Sequence, residues 1–335
     1  MVRVVQYGIG PIGLEVVRAL LAKQPTGKVA LAGVIDVDPA KAGRDVGELL
    51  GTGSTGVIVS GDADQCLADS EPDVVIHSTS SFIDVVTDQL IQCVRAGAHV
   101  ISSTEELSFP DGTHAAFVRK LNEECLEHGV VVLGTGVNPG FAMDALAVMA
   151  TAPCTRVDAV FVERAVDAGR RRGPLQRKIG AGLSPSEFEE KRATGRFGHI
   201  GLMQSLRLVV DALGIDPDET LETMDPVIAD RMIRTDFVTV EEGAVAGIHQ
   251  VAVARSGGRD RIRLDLRMAV GASPSFDRIV VQGDPPIDLR AEGGIFGDSA
   301  TVGALINAIP GVLNAQPGFK RVTDLPVARV FAGFH

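Results

Sequence analysis

The sequence contains no tryptophan and a single tyrosine, Tyr7, so it lacks the aromatic platforms on which single-stranded nucleic acids stack. Positive charge is scarce as well. Lys+Arg 32 against Asp+Glu 43 leave a formal charge of −11, which in bulk repels nucleic acid and anionic membrane while still permitting a local basic pocket. The four cysteines, Cys66, Cys93, Cys125 and Cys154, stand far apart with no CxxC or Cys/His ligand spacing. That pattern speaks against a disulfide framework and a zinc site, so reduced thiols and no metal are expected. The longest apolar runs, such as Val29 to Ile35 and Val130 to Leu133, fall well short of the ~20 residues that span a bilayer. The opening residues enter a strand-like run without a basic region, a long apolar stretch or a small-residue cleavage site, so a cytoplasmic protein with no membrane or nucleic-acid partner is expected.

What is present reads as a folded two-domain chain. The 335 residues divide into about two domains of ~150, and 45% hydrophobic with 22% charged residues is an ordinary globular composition. Short β-branched runs at Arg3 to Tyr7, Val29 to Ile35, Gly56 to Ser60, Val74 to His77, His99 to Ser102 and Val130 to Leu133 alternate with helix-period segments. The helical segments are Pro11 to Lys23, Phe82 to Ala96 and His114 to His128, the last two stopped by Gly97 and Gly129. This alternation predicts an α/β fold, a Rossmann-type doubly wound parallel sheet with its ligand crevice at the carboxyl ends of the strands. After about Gly140 longer alternating runs follow, at Arg156 to Val166, Phe237 to Glu242, Gly247 to Arg255, Arg261 to Val270 and Ser275 to Gln282, with a helix at Gly201 to Leu213. They predict a second, α+β domain with a mixed or antiparallel sheet. The expected division is a dinucleotide-binding domain over 1–137, a substrate-binding domain over 138–299, and a segment over 300–335 that packs back on the first domain.

The strongest chemical motif is Gly8-Ile9-Gly10-Pro11-Ile12-Gly13, between the first strand and the first helix. Its glycines allow a tight turn, a close approach of backbone to a pyrophosphate and close helix packing, and the helix N-terminus favours the anion. Asp36 ends the second strand, where an acid accepts hydrogen bonds from the adenosine ribose of NAD; Lys41 and Arg44 follow closely enough to meet the 2′-phosphate of NADP, so both cofactors stay open. Ser78, Thr79 and Ser80 end the fourth strand and either line the nucleotide side or cap the next helix.

The fifth strand ends in Ser103-Thr104-Glu105-Glu106-Leu107. A carboxylate there serves as general acid or base if partial burial lifts its pKa, whereas Thr104 followed by two acids also describes a capped helix start. Gly134 to Phe141 follows the sixth strand, with Asn138 suited to a carboxamide or a polar substrate group. Arg164, His199 and His249 are the polar residues placed around a second-domain pocket, and Phe141 and Met143 are expected to shape it.

These runs, together with Gly136-Val137-Asn138-Pro139-Gly140-Phe141, Lys178 to Leu183, Gly198-His199-Ile200-Gly201, Gly297 to Thr301 and Asn307 to Pro310, resemble the 2,4-diaminopentanoate dehydrogenase and amine dehydrogenase family, whose first domain is similar to dihydrodipicolinate reductase. The resemblance covers nearly the whole chain. It implies NAD- or NADP-dependent oxidative deamination of an amine, reversible as reductive amination of a ketone or aldehyde with ammonia, in a homodimer formed through the second-domain sheet. It places the catalytic glutamate at Glu105, with Glu106 as the alternative. Asn138, Phe141, Arg164, His199, His249 and Thr301 become pocket residues, and Gly8 to Gly13, Asp36, Lys41, Arg44, Ser78 to Ser80, Thr104 and Asn138 line the cofactor. The alternatives are a carbonyl or imine reductase that never uses ammonia and an inactive dinucleotide-binding regulator; the paired histidines and Lys-x-x-x-Pro-Ser-Gly-Thr motif of dihydrodipicolinate reductase itself are absent.

Overall fold

The computed structural model describes residues 1–332, which divide into two compact units, 1–141 with the chain from Gly297 onward, and 142–296. In the first unit, β1 (Val2–Tyr7), β2 (Val29–Ile35), β3 (Val59–Ser60), β4 (Val74–His77), β5 (His99–Ser102) and β6 (Val131–Gly134) join a returning strand, Gly318–Lys320, in a parallel sheet. The order is Gly318–Lys320, β6, β5, β4, β1, β2, β3. Both faces are covered. The Pro11–Lys23 and Gly297–Asn307 helices bury Val16, Val17, Leu20, Leu305 and Ile306 on one side, and Ile83–Arg95 and Ala115–His128 bury Val86, Leu90, Leu121 and Cys125 on the other. A doubly wound sheet of this kind leaves the carboxyl ends of β1, β4, β5 and β6 on one edge.

Three local outcomes differ from the sequence expectation. The third strand shrinks to Val59–Ser60 because Asp45 gathers Gly47 N (2.7 Å), Ser54 Oγ (2.7 Å), Thr55 N (3.0 Å) and Gly56 N (2.8 Å) into a turn. A helix the sequence did not announce, Ala63–Ser70, starts where Asp62 accepts from Gln65 N at 3.1 Å. The last helical run breaks into Gly297–Asn307 and Ile309–Asn314, because Pro310 lacks the amide that would continue the ladder and suits the first turn of a new helix.

In the second unit, β7 (Arg156–Asp167), β8 (Glu219–Ile228), β9 (Ile233–Arg234), β10 (Thr239–Val240), β11 (Val245–Ser256), β12 (Arg259–Ala269), β13 (Phe276–Asp284) and β14 (Ile287–Glu292) form a mixed sheet and a small ribbon. The sheet order is β14-β13-β7-β12-β11-β8, with β7 and β12 parallel and the other pairs antiparallel. Its core face, with Val160, Val162, Leu264, Leu266, Ile248 and Ala252, packs on Leu202, Leu206 and Val209 of the Leu202–Ala212 helix. The run at Phe237 to Glu242 gives only β10, paired with β9. β8 went unforeseen: its acids and Pro226 suit an edge strand, where a missing amide costs no ladder bond. Among the described residues no helix is long and apolar enough to cross a membrane.

Candidate active site

The glycine loop of the first unit is built by exclusion of side chains. Gly8 has φ +85, and a Cβ there would lie 2.7 Å from Ser78 O; a Cβ on Gly13 would lie 2.0 Å from Gly8 O. A Cβ on Gly10, in contrast, meets nothing within 4 Å, so the loop presents open backbone at the N-terminus of the Pro11–Lys23 helix. These features fit a dinucleotide pyrophosphate, which needs both the approach and the dipole. Beneath the loop the buried Gln6 donates from Nε2 to Gly8 O (2.8 Å) and Ser78 Oγ (2.8 Å), and Ser78 Oγ donates to Gly8 O (3.1 Å). Gln6 was not among the sequence candidates. The signal was there, a lone amide inside the apolar run of β1.

At the end of β2, Asp36 accepts from Ile9 N (2.8 Å) and Asp38 N (2.9 Å). Lys41 turns onto it, with Nζ 3.2 Å from Asp36 and 3.3 Å from Asp38. Arg44 lies exposed on the turn that returns to β3.

The acid turn after β5 forms a short 3-10 helix, Glu105–Ser108. It is packed from both sides. A Cβ on Gly134 would lie 2.5 Å from the Leu107 carbonyl carbon, so β6 can only carry glycine where it passes the turn. Toward β4, Thr104 Oγ1 donates to Ser80 O (2.9 Å), Glu106 N to Ser81 O (3.2 Å), and Ile83 N to Glu106 Oε2 (2.8 Å). The buried His77 ties the same strand ends together. Its Nδ1 lies 2.9 Å from Ser102 Oγ, which donates onward to Thr104 Oγ1 (2.9 Å), and its Nε2 lies 2.8 Å from Gln89 Oε1 and 3.0 Å from Thr79 Oγ1. Burial lowers the His77 pKa to about 4, which keeps the ring neutral.

Beyond β6 the loop turns at Gly140, φ +124, where a Cβ would lie 2.4 Å from Gly136 N. Thr301 comes beside it, its methyl 3.8 Å from a Cβ built on Gly136. Asn138 is half-buried in this loop and Phe141 is exposed at its end. The first unit therefore brings Gly8 to Gly13, Ser78, Ser80, Thr104, Glu105, Glu106 and Asn138 to the carboxyl edge of one sheet, with Thr301 of the Gly297–Asn307 helix beside the Gly136 turn.

The second unit sorts the remaining candidates differently. Arg164 is 3% exposed, with Nη1 on Asp277 Oδ1 (2.5 Å) and Nη2 on Ile295 O (2.8 Å). His199 is held through its backbone, its N donating to Gln250 Oε1 (3.2 Å) and its O accepting from Gln250 Nε2 (3.0 Å). Burial, then the nearby Lys178 and Arg164 cations, lower its pKa to about 3, so it too is neutral. His249 lines a cavity together with Arg164. Alternation along β11 turns it to the face opposite Ile248 and Gln250, where Nε2 meets Asp265 Oδ1 at 2.8 Å. Met143 is fully buried in the apolar core of this unit. Among the described residues no group of three or more His, Cys, Asp or Glu stands close enough to hold a metal ion.

Residues 2–133 match the family described as dihydrodipicolinate reductase, N-terminus, and residues 141–334 match the family described as 2,4-diaminopentanoate dehydrogenase C-terminal domain. A 2,4-diaminopentanoate dehydrogenase of Acetoanaerobium sticklandii is 28% identical over 349 residues, covering 99% of this chain and 95% of that protein. An amine dehydrogenase of Streptomyces virginiae is 26% identical over 358 residues, covering 98% and 97%. The solved structure of an amine dehydrogenase from Mycobacterium smegmatis superposes with a TM-score of 0.87 at 25% identity, covering 99% of this chain and 98% of that one. With the C-terminal match alone spanning more than half of its length, the chain belongs to the 2,4-diaminopentanoate dehydrogenase family.

Proposed function

We propose that this protein is an NAD(P)-dependent amine dehydrogenase that interconverts an amine with a ketone or aldehyde and ammonia. The observation that carries the reading is the acid turn Glu105–Ser108, fixed at the carboxyl edge of the dinucleotide sheet by bonds to the turn after β4, which itself holds the glycine loop through Ser78. When bound, the cofactor would supply hydride acceptance from the amine-bearing carbon, and hydride donation to it in the reverse direction. Gly8 to Gly13 and the Pro11–Lys23 helix hold the pyrophosphate, and Asp36 reads the adenosine ribose. Lys41, resting on Asp36 and Asp38, offsets their charge and supports acceptance of NADP beside NAD.

Glu105, the nearer of the two acids to the end of β5, is the general acid-base in this reading, and the Glu106 carboxylate accepts from Ile83 N. In deamination Glu105 takes a proton from water as the oxygen adds to the iminium carbon; in amination it assists ammonia addition and returns the proton to the departing water. Asn138 and Thr301 supply polar contacts beside it, and Phe141 supplies an apolar wall.

A homodimer in the cytoplasm completes the reading. The dimer follows from the family resemblance, which implies association through the second-domain sheet. The test is oxidation of NADH and NADPH, followed by absorbance, with small ketones, aldehydes and 2-amino-4-oxopentanoate, each with and without ammonium. Turnover that needs ammonium is expected; turnover without it would make the protein a simple reductase, and tight cofactor binding with none would make it a regulator.

A further inference from the structure

The second acid of the turn is tied by backbone and side chain to the turn after β4, and from that clamp we infer that Glu106 is a positioning residue for Glu105. The inference rests on the assignment of Glu105 above. Glu106 makes a two-way clamp with the turn after β4: its amide donates to Ser81 O (3.2 Å) and its carboxylate accepts from Ile83 N (2.8 Å), the first helical amide of Ile83–Arg95. That amide has no partner within the helix, because the first turn's donors point outward, so a carboxylate there satisfies a bond and meets the helix dipole. One residue earlier, Thr104 Oγ1 bonds Ser80 O (2.9 Å); one residue later, Leu107 is fully buried beside Ile83 in the core under the sheet. Glu105 thus sits between anchored neighbours on both sides. His114 approaches the Glu106 carboxylate at 3.9 Å, and Asp111 holds its other ring nitrogen at 3.0 Å, which turns it toward Glu106 from outside.

The clamp spans the two turns a dinucleotide enzyme must hold in register. Ser78 to Ser81 lies next to the glycine loop, and Thr104 to Glu105 carries the acid. A catalytic group displaced by ~1 Å loses about 10²-fold in rate, so the bond from Ile83 N contributes to turnover through Glu105 without Glu106 touching the reacting atoms. The chemistry needs only an acceptor at that position, so a neutral amide oxygen serves as well as a carboxylate oxygen.

The experiment compares Glu106→Ala, Glu106→Gln and Glu105→Gln by kcat and its pH profile, NADH affinity by fluorescence titration, and hydrogen exchange of the 79–86 segment by mass spectrometry without cofactor. Glu106→Ala should speed exchange at the Ile83 amide, raise the NADH Kd several-fold and lower kcat by about 10- to 100-fold. Glu106→Gln should restore all three to within a few-fold, with the wild-type pH profile. Glu105→Gln should abolish turnover with exchange and NADH affinity unchanged. The inference is overturned if Glu106→Gln is as inactive as Glu105→Gln and loses the same pH limb, which would make Glu106 the chemical group. It is equally overturned if Glu106→Ala leaves exchange at Ile83 unchanged. Exchange and NADH binding need no amination, so a wild-type enzyme indifferent to ammonium would refute the function and leave the clamp decided by those two readings.

Discussion

Replacing Gly10 by alanine separates cofactor binding from folding. Gly10 caps the Pro11–Lys23 helix with φ −63 and ψ −172, a conformation alanine adopts without strain, and its new methyl would meet nothing within 4 Å. Two small effects on stability oppose each other. Loss of unfolded-state freedom stabilises by ~0.4–1 kcal/mol, while alanine is a poorer N-cap than glycine by about 0.5–1 kcal/mol. The sum lies within about 0.5 kcal/mol of zero, which for a chain of this size moves Tm by less than ~2 °C. The methyl, however, fills the space through which the pyrophosphate meets the loop. We expect NADH affinity to fall by about 10- to 100-fold, or roughly 1.4–2.7 kcal/mol, read by fluorescence titration beside a thermal melt. Gly13→Ala is the control, because its Cβ would stand 2.0 Å from Gly8 O; it should lower both Tm and affinity. Wild-type NADH affinity in Gly10→Ala would refute the placement of the dinucleotide over this loop.

Two further outcomes follow from the packing of charges. Arg164→Met should destabilise the protein by about 3–5 kcal/mol, because it strands the buried Asp277, and Arg164→Met with Asp277→Leu should recover most of that loss in urea unfolding. If the single and double variants are equally destabilised, the pair is not the reason Arg164 is there. The Asp45 carboxyl is held well below the usual carboxylate range by hydrogen bonds from the Thr55 amide, the Ser54 and Thr55 hydroxyls and the Gly47 amide. A depressed pKa gives stability that is present above about pH 4 and is lost as pH falls toward the folded-state value. Asp45→Asn should therefore lower Tm at pH 7 and converge on the wild type in acid; a Tm gap independent of pH would show that the turn is held by shape instead of charge.

Much of the first unit was legible because each signal is local. A β-branched run of five to seven residues has few alternatives, Gly129 ends its helix at φ +69, and Gly8 to Gly13 allows close approaches that no other residue type permits. The misreadings had local causes of another kind. The acid-rich run of β8 becomes a strand only because β11 offers it an edge, and Gly56 to Ile58 leave β3 because Asp45 collects the donors of Ser54, Thr55 and Gly56, nine to eleven residues later. In the second unit, spacing named Arg164, His199 and His249 together. The two-residue period of a strand, whose phase is set by which face meets the Leu202–Ala212 helix, put His249 on the face opposite Gln250, the residue that holds the His199 backbone.

The sequence by itself determined the fold class, the dinucleotide motif and the family, since glycine spacing, helix stops and strand runs are properties of neighbours along the chain. It also placed the candidate acid at Glu105, with Glu106 as the alternative. Tertiary structure decided what Glu106 reaches, by bringing the first helical amide of Ile83–Arg95 to its carboxylate. It likewise decided that Arg164 answers Asp277, 113 residues away, because a buried guanidinium takes whichever carboxylate the sheet register sets beside it.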